Sequence, residues 1–184
     1  TGLIWDRYRY FGELVCKEET DKILELATGA GGGTASVALY MPKECSLYTV
    51  DIGFDCLGNA FGIGKYQNKN IIPVCANFWY LPFKDKSFKT ICTACGLDES
   101  REIIETLKEV SRLLTDNGRF VVVSRNNAFM RQHRVLEPFG FTEKETLEIL
   151  KSCRMYSDLN NLDEICDDLA MKLGSLGLAT YLFV

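Results

Sequence analysis

The segment DKILELATGAGGGTASVAL, residues 21–39, joins a short apolar strand to a run of very small residues. From Ala27 to Gly33, every position except Thr28 is Gly or Ala. Glycine inside a structural element costs about 0.5–1 kcal/mol relative to alanine, because it loses more backbone freedom on folding. The run therefore indicates that the backbone has to be bare here, so that a ligand can approach it closely.

Strand-like and helix-like segments alternate along the chain. Strands are predicted at KILEL (22–26), SLYTVD (46–51), NIIPVCA (70–76), FKTICTAC (88–95), RFVVVSR (119–125) and LATYLFV (178–184). The clearest helix is SREIIETLKEVSRLL, which has apolar residues on one face and ends before DNG. This order predicts an α/β fold with a doubly wound, mostly parallel, seven-stranded sheet, helices on both faces and an antiparallel last strand.

The length and composition predict one domain over residues 1–184. The order of the elements predicts an N-terminal helix or lid at 1–20 and covering helices at 126–175. Within the covering part, Thr142 and Glu145 form a capping box. A net charge of −4 argues against general affinity for nucleic acid, and no apolar run reaches the ~20 residues of a membrane span. With no leader and eight scattered cysteines, we expect a cytoplasmic protein without a membrane partner.

The glycine register distinguishes between two classes of cofactor. A nicotinamide loop carries Gly-x-Gly-x-x-Gly, whereas this chain has Gly29, Gly31 and Gly33, with Thr34 in the place of the third glycine. Glu25, inside the apolar strand, would repel a pyrophosphate but suits a cofactor with an ammonium and a sulfonium group. The pattern favours S-adenosylmethionine.

Several ordered motifs resemble the class I S-adenosylmethionine-dependent methyltransferases, of the small-molecule type that methylates ubiquinone and menaquinone precursors. They are ILELATGAGGGT, the acid that ends YTVD, the ANFWYLPFKDKSF segment and EVSRLLTDNGRF, and the resemblance covers residues 3–125 and the last strand. It implies S-adenosylmethionine contacts at Glu25, Ala27, Thr28, Gly29, Gly31, Asp51, Ile52, Asn77, Phe78, Ala94 and Cys95. Asp51 would take both ribose hydroxyls, and Asn77 stands at the adenine-reading position.

Three departures from the family pattern bear on these contacts. Ala27 replaces the first glycine of the loop, Asn77 replaces an acid and Lys89 replaces the Asp of the SFD turn. The amide oxygen of Asn77 retains an acceptor for the adenine amino group but loses the charge assistance of a carboxylate. None of the three is expected to abolish cofactor binding alone.

The chemistry of methyl transfer depends more on alignment than on a fixed set of groups. Candidate bases are Asp98, Glu99 and His133, although the two acids also suit a helix N-terminus and the histidine suits a solvated helix. No metal is expected, since Cys92 and Cys95 lack a second pair of ligands.

The aromatic N-terminus, WDRYRYF, allows two interpretations. Trp5, Tyr8 and Tyr10 either form a lid over the cofactor or pack a first helix onto the sheet.

The leading hypothesis is an S-adenosylmethionine-dependent methyltransferase that transfers methyl directly to a small-molecule acceptor. The alternatives are a non-catalytic binding module with the same fold, a nicotinamide-dependent oxidoreductase and an RNA methyltransferase. The sequence alone identifies neither the acceptor nor the oligomeric state.

Overall fold

The computed structural model describes residues 2–96, 103–125 and 178–183. Its helices are α1 (Gly2–Val15), α2 (Gly32–Tyr40), α3 (Phe54–Gln67) and α4 (Ile103–Leu113). Its strands are β1 (Lys22–Leu26), β2 (Ser46–Asp51), β3 (Asn70–Cys75), β4 (Phe88–Ala94), β5 (Leu114–Arg125) and β6 (Leu178–Phe183). No helix within these ranges combines the length and the apolar character that a bilayer crossing requires.

The strands form one sheet in the order β3-β2-β1-β4-β5-β6. The first five strands are parallel, and β6 runs antiparallel to β5. The prediction of a doubly wound, mostly parallel sheet is therefore confirmed. A seventh strand has no counterpart in the described ranges, and the predicted covering helices with their Thr142–Glu145 capping box lie outside them.

Two apolar layers cover the two faces of the sheet. Successive strand residues point to opposite faces, so Ile23 packs into the cluster with α1 and α2 while Leu24 packs into the cluster with α4. On the first face the helices contribute residues that include Phe11 and Val37, and on the other face α4 contributes residues that include Leu107. Helices cover both faces, as predicted, and β1 lies inside the sheet between β2 and β4.

The edge of the sheet is formed by β3, which pairs only with β2 among the described strands. Pro73 lies in the middle of β3, and a proline without an N–H is tolerated in an edge strand. The predicted glycine-weakened helix forms as α3, which follows β2 and packs against β3 through Leu57, Ala60 and Gly64. The edge of the sheet is thereby covered on one face by α3.

The start of β5 differs from the prediction. The DNG sequence predicts a turn and a strand from residue 119, whereas β5 begins at Leu114. Leu114 pairs with Phe88, the register then shifts, and Arg119 pairs with Thr90. Residues 115–118 are the extra residues that this irregularity in β5 accommodates. The DNG sequence, although typical of a turn, therefore lies inside a strand, because β4 pairs with β5 on both sides of it.

Candidate cofactor site

The predicted site lies where the strand order reverses, beyond the carboxyl end of β1. Since β1 is paired with β2 on one side and β4 on the other, the ends of all three strands meet there. The segment between β1 and α2 is fixed to β2, because the N–H groups of Ala27 and Thr28 both donate to the carbonyl of Val50, over 2.9 and 3.2 Å. The geometry is that of a ligand crevice in a doubly wound sheet.

The loop adopts left-handed backbone conformations at three positions, with φ of 65° at Ala27, 49° at Gly29 and 87° at Gly31. At Gly29 an added Cβ would meet nothing within 4 Å. Glycine there leaves open space against the backbone rather than room for a neighbouring side chain. The loop thus presents a bare backbone to the crevice, as the sequence predicts.

The start of α2 shows a different use of glycine. A Cβ at Gly33 would lie 2.5 Å from Glu25 Oε1, and a Cβ at Gly32 would lie 2.7 Å from the ring of Tyr8. The small residues at 32 and 33 therefore let a carboxylate and an aromatic ring approach the first turn of the helix. This explains why the small-residue run continues beyond the turn itself.

Glu25 is completely buried at the base of the crevice. Its Oε2 accepts hydrogen bonds from Thr34 Oγ1 at 2.6 Å and Thr49 Oγ1 at 2.7 Å. Because the Thr49 hydroxyl donates to Glu25, it accepts from Thr28 Oγ1, which lies 2.7 Å away. The carboxylate is thus held by a chain of threonine hydroxyls.

The second oxygen of the same carboxylate, Glu25 Oε1, is buried and has no hydrogen-bond partner in the described part of the protein. Burial raises the pKa of Glu25 to about 7, the two threonine hydrogen bonds oppose the rise, and the charge of Asp51 adds to it. A buried carboxyl group with a free acceptor is suited to a cationic ligand, which would restore its ionisation. The residues present therefore fit the ammonium of S-adenosylmethionine.

Asp51 lies at the end of β2 and is half-buried. Its Oδ2 accepts the N–H of Gly29 at 2.9 Å, and its Oδ1 accepts the N–H of Gly53 at 2.8 Å. Each carboxylate oxygen keeps a further lone pair, so both remain able to accept a ribose hydroxyl. The predicted ribose acid also anchors the glycine loop, a role that the sequence analysis missed.

The residues predicted to surround the adenine differ in how exposed they are and in what they contact. Ile52 follows Asp51 and is 73% exposed, which leaves it free to cover a ligand. Asn77 accepts the N–H of Trp79 at 3.0 Å through Oδ1, and Phe78 packs partly into the core cluster of α4. The side chain of Phe78 is thus committed in large part to packing.

The end of β4 closes the crevice on its other side. Ala94 and Cys95 are partly buried, and Cys95 has a φ of 62° while its N–H donates to the carbonyl of Val123 at 2.6 Å. An added Cβ at Gly96 would lie 2.3 Å from the Cβ of Ala27. The turn after β4 is therefore packed directly on the loop after β1.

The structure brings together the predicted cofactor residues of the first, second and fourth strand ends. Of the N-terminal aromatic residues Trp5, Tyr8 and Tyr10, only the side chain of Tyr8 is described, and its ring lies against Gly32. Helix α1 packs onto the sheet through Phe11. The catalytic candidates Asp98, Glu99 and His133 lie outside the described residues. The sequence did not predict that Thr34 and Thr49 hydrogen-bond to Glu25. The only indication was a hydroxyl group among mostly small or apolar neighbours.

The comparison with protein families gives one match that covers most of the chain. The model of the ubiE/COQ5 methyltransferase family matches residues 3–172. The chain belongs to this family. The resemblance inferred from the motifs is confirmed, and S-adenosylmethionine as the cofactor and methyltransferase as the class of enzyme are confirmed at the level of the family.

Curated members of the family are similar over part of their length. A ubiquinone/menaquinone biosynthesis C-methyltransferase from Bartonella tribocorum is 30% identical over 115 residues, covering 59% of this chain and 43% of that protein. A demethylmenaquinone methyltransferase from Staphylococcus haemolyticus is 26% identical over 129 residues, covering 68% and 54%. The chain thus spans about half the length of the curated relatives that it matches.

The solved structures agree with the fold. A crystal structure of an S-adenosylmethionine-dependent methyltransferase from Aquifex aeolicus superimposes with a TM-score of 0.68 at 18% identity, over 82% of this chain and 80% of that one. The family fold is therefore shown by structure as well as by sequence.

Proposed function

We propose that this protein transfers a methyl group from S-adenosylmethionine to a ring carbon of a quinone-type acceptor. The observation that carries the proposal is the buried Glu25 carboxyl group, whose Oε1 has no partner among the described residues and lies beside the bare loop after β1. The names of the curated relatives, which include a ubiquinone/menaquinone C-methyltransferase and a demethylmenaquinone methyltransferase, support the class of acceptor.

The residues of the crevice would hold the cofactor by charge and hydrogen bonding. Glu25 would neutralise the ammonium of the methionine part, and the backbone of Gly29 and Gly31 would allow its close approach. Asp51 would accept the two ribose hydroxyls with the lone pairs that its bonds to Gly29 and Gly53 leave free. Asn77 and Ile52 would contact the adenine.

The cofactor supplies an electrophilic methyl group on a sulfonium. Transfer of this methyl group would join it to the acceptor carbon as its bond to sulfur breaks, with S-adenosylhomocysteine as the leaving group, and a base of this chain would take the proton that the ring carbon loses. The reduced form of a quinone ring is electron-rich at carbon, so we propose the quinol as the reacting form. Asp98, Glu99 and His133 remain our candidates for the base.

The first experiment is calorimetric titration of the chain with S-adenosylhomocysteine, with NADH as the comparison. We expect S-adenosylhomocysteine alone to bind and Asp51→Ala to abolish the binding. Asp55→Ala, which removes an exposed carboxylate in the first turn of α3, should leave the binding unchanged. Methyl transfer from labelled S-adenosylmethionine to reduced demethylmenaquinone then tests the acceptor class.

The results separate the alternatives. Cofactor binding without turnover on any quinol would favour the non-catalytic module, and binding of NADH would revive an oxidoreductase. Binding of neither ligand would contradict the proposed site.

A further inference from the structure

The outer face of α3 carries large aromatic side chains that the rest of the described chain leaves uncovered. Phe54 is 81% exposed, Phe61 66% and Tyr66 91%. With 3.6 residues per turn, Phe61 and Lys65 lie within about 20° of a line drawn along the helix from Phe54, whereas Tyr66 lies about 120° away from that line. Three exposed aromatic rings on one short helix exceed the scattered apolar residues normal for a protein surface.

A basic cavity lies at the C-terminal end of the same helix. Its volume is about 520 Å³, and its lining includes Lys43, Lys65, Lys69, the amides of Asn68 and Asn70, and the ring of Phe61. No carboxylate among the described residues lines it. Lys69 Nζ donates to the carbonyl of Met41, whereas Lys43 and Lys65 are exposed and have no ion-pair partner within the described residues.

The cavity continues into the row on α3, because Phe61 lines the cavity and is also part of that row. We call Phe54, Phe61, Lys43, Lys65 and Lys69 the basic-aromatic face. We propose that this face docks the protein peripherally on a membrane that contains anionic phospholipid. The lysines would meet the lipid phosphates, and the aromatic rings would enter the interfacial layer.

The charge distribution favours this occupant over a soluble acidic partner of defined shape. The whole chain has a net charge of −4, so three lysines around a cavity that no carboxylate of the described ranges lines form a local positive field of opposite sign. Lysines attract an anionic lipid surface, and aromatic rings favour the level of the headgroups. Phe54 and Phe61 lie along one side of α3 with Lys65 beside them, and a row of this kind suits a plane on which α3 lies flat.

The docking geometry has a consequence for the proposed function, on which this step rests. α3 begins three residues after Asp51, so a membrane along α3 also lies near the cofactor end of β2. A membrane-dissolved acceptor would then reach the crevice without crossing water. The lack of an apolar run of ~20 residues in the sequence predicted no membrane partner, but peripheral docking needs no spanning segment.

The test is co-sedimentation of the purified chain with vesicles of phosphatidylcholine alone or with phosphatidylglycerol. We expect binding to the anionic vesicles only, and a decrease in binding as salt is added. Lys43→Gln and Lys65→Gln should each weaken partitioning about fivefold and the double variant about 25-fold. Phe61→Ser should weaken it as well, whereas Lys84→Gln, an exposed lysine outside the face, should retain it.

Two further measurements distinguish loss of membrane binding from unfolding and from failure of the proposed function. Thermal melting shows whether each variant is folded, and the affinity for S-adenosylhomocysteine reports on the proposed function independently of the membrane. Loss of vesicle binding with unchanged cofactor affinity supports the docking face. Vesicle binding in a chain that does not bind S-adenosylhomocysteine would contradict the proposed function and leave the docking face intact.

Several results would overturn the docking proposal. These are equal binding to neutral vesicles, unchanged binding in the double lysine variant, or displacement by millimolar inorganic phosphate, which would identify a soluble anion as the ligand. Sedimentation velocity without vesicles measures whether the chain forms a dimer in solution. A dimer that Phe61→Ser dissociates would show that a second copy of the chain covers the face.

Discussion

At the scale of single residues, the site is governed by two carboxylates in different surroundings. Glu25 is fully buried with one oxygen unpaired, whereas Asp51 is half-buried with both oxygens bonded to backbone N–H groups. Burial raises the pKa of Glu25 to about 7. The contribution of Glu25 to cofactor binding therefore depends on pH near neutrality.

The first prediction concerns the pH dependence of cofactor affinity. Below pH 7 Glu25 is mostly protonated and loses its attraction for an ammonium group, so affinity for S-adenosylhomocysteine should rise about tenfold from pH 6 to pH 8. Calorimetry in buffers of different ionisation enthalpy should detect the proton that binding releases. Glu25→Gln should bind more weakly at pH 8 and lose the pH dependence; a wild-type profile that is flat would contradict this role.

The second prediction concerns Ala27, which adopts a φ of 65° in the left-handed region. An L-residue with a Cβ is strained there by about 1–2 kcal/mol, whereas glycine is not. Ala27→Gly should therefore stabilise the protein by about 0.5–1 kcal/mol after its extra backbone entropy is subtracted, raising Tm by about 1–4 °C. Ala30→Gly is the matched control, because Ala30 has no such φ and should lose stability on substitution.

The sequence predicted the acids of the site and not their hydrogen-bonding partners. Glu25 and the glycines are recognisable because they are local, within nine residues of one another. Thr34 follows the glycines directly, but its hydrogen bond to Glu25 depends on the packing of α2 on β1. Thr49 lies 24 residues from Glu25 and reaches it through the pairing of β2 with β1. The second role of Asp51 was hidden for the same reason, since its contact with Gly29 spans 22 residues.

At the scale of elements, Arg112 joins α4 to the segment between β3 and β4. Its guanidinium donates to Glu109 at 2.6 and 2.8 Å, to Asp85 at 2.6 Å and to the carbonyls of Phe83 and Leu81. Glu109 in turn accepts the N–H of Leu81 at 2.8 Å, and its hydrogen bond to Arg112 lowers its pKa. The Arg112 guanidinium thus fixes the segment from Leu81 to Asp85, which follows the residues predicted to contact the adenine.

The third prediction is that Arg112→Met lowers stability by about 2–3 kcal/mol, because it retains the aliphatic stem but leaves Glu109 without its cation. Denaturant unfolding measures the loss. Asp116→Ala, which breaks the exposed Lys86–Asp116 pair, should change stability by at most about 0.5 kcal/mol. Equal effects of the two substitutions would show that the Arg112 guanidinium contributes no more than a surface ion pair.

Elements with their own strong periodicity were predictable, and α4 is the clearest case. The start of β5 was not, because DNG is a local turn signal and the competing pairing of Leu114 with Phe88 is long-range. The alternation of elements predicted a mostly parallel sheet, whereas the register at this irregularity was not predicted.

At the scale of the whole molecule, Glu25 links stability to pH. Its pKa in the folded protein is about 7, above the ordinary value of 4.5, so its contribution is complete below about pH 4.5 and is lost as pH rises through 7.

The fourth prediction follows from this sign. From pH 5 to pH 8 the free energy of unfolding of the wild type should fall by up to about 3 kcal/mol relative to Glu25→Gln, which cannot ionise. Parallel urea titrations of both proteins at the two pH values measure the difference. Saturating S-adenosylhomocysteine should reduce it, since the bound ammonium stabilises the ionised carboxylate. Parallel pH profiles of the two proteins would show that Glu25 ionises as freely in the folded chain as in the unfolded one.

The placement of Pro73 in β3 has a consequence for behaviour at high concentration. An edge strand with a complete row of free N–H groups is a template on which another chain can add a strand. The proline removes one donor from the middle of β3, and α3 shields one face of the same edge. Pro73→Thr would restore the donor with a residue that favours strands, and we expect that variant to self-associate into β-rich aggregates under conditions in which the native chain stays dispersed.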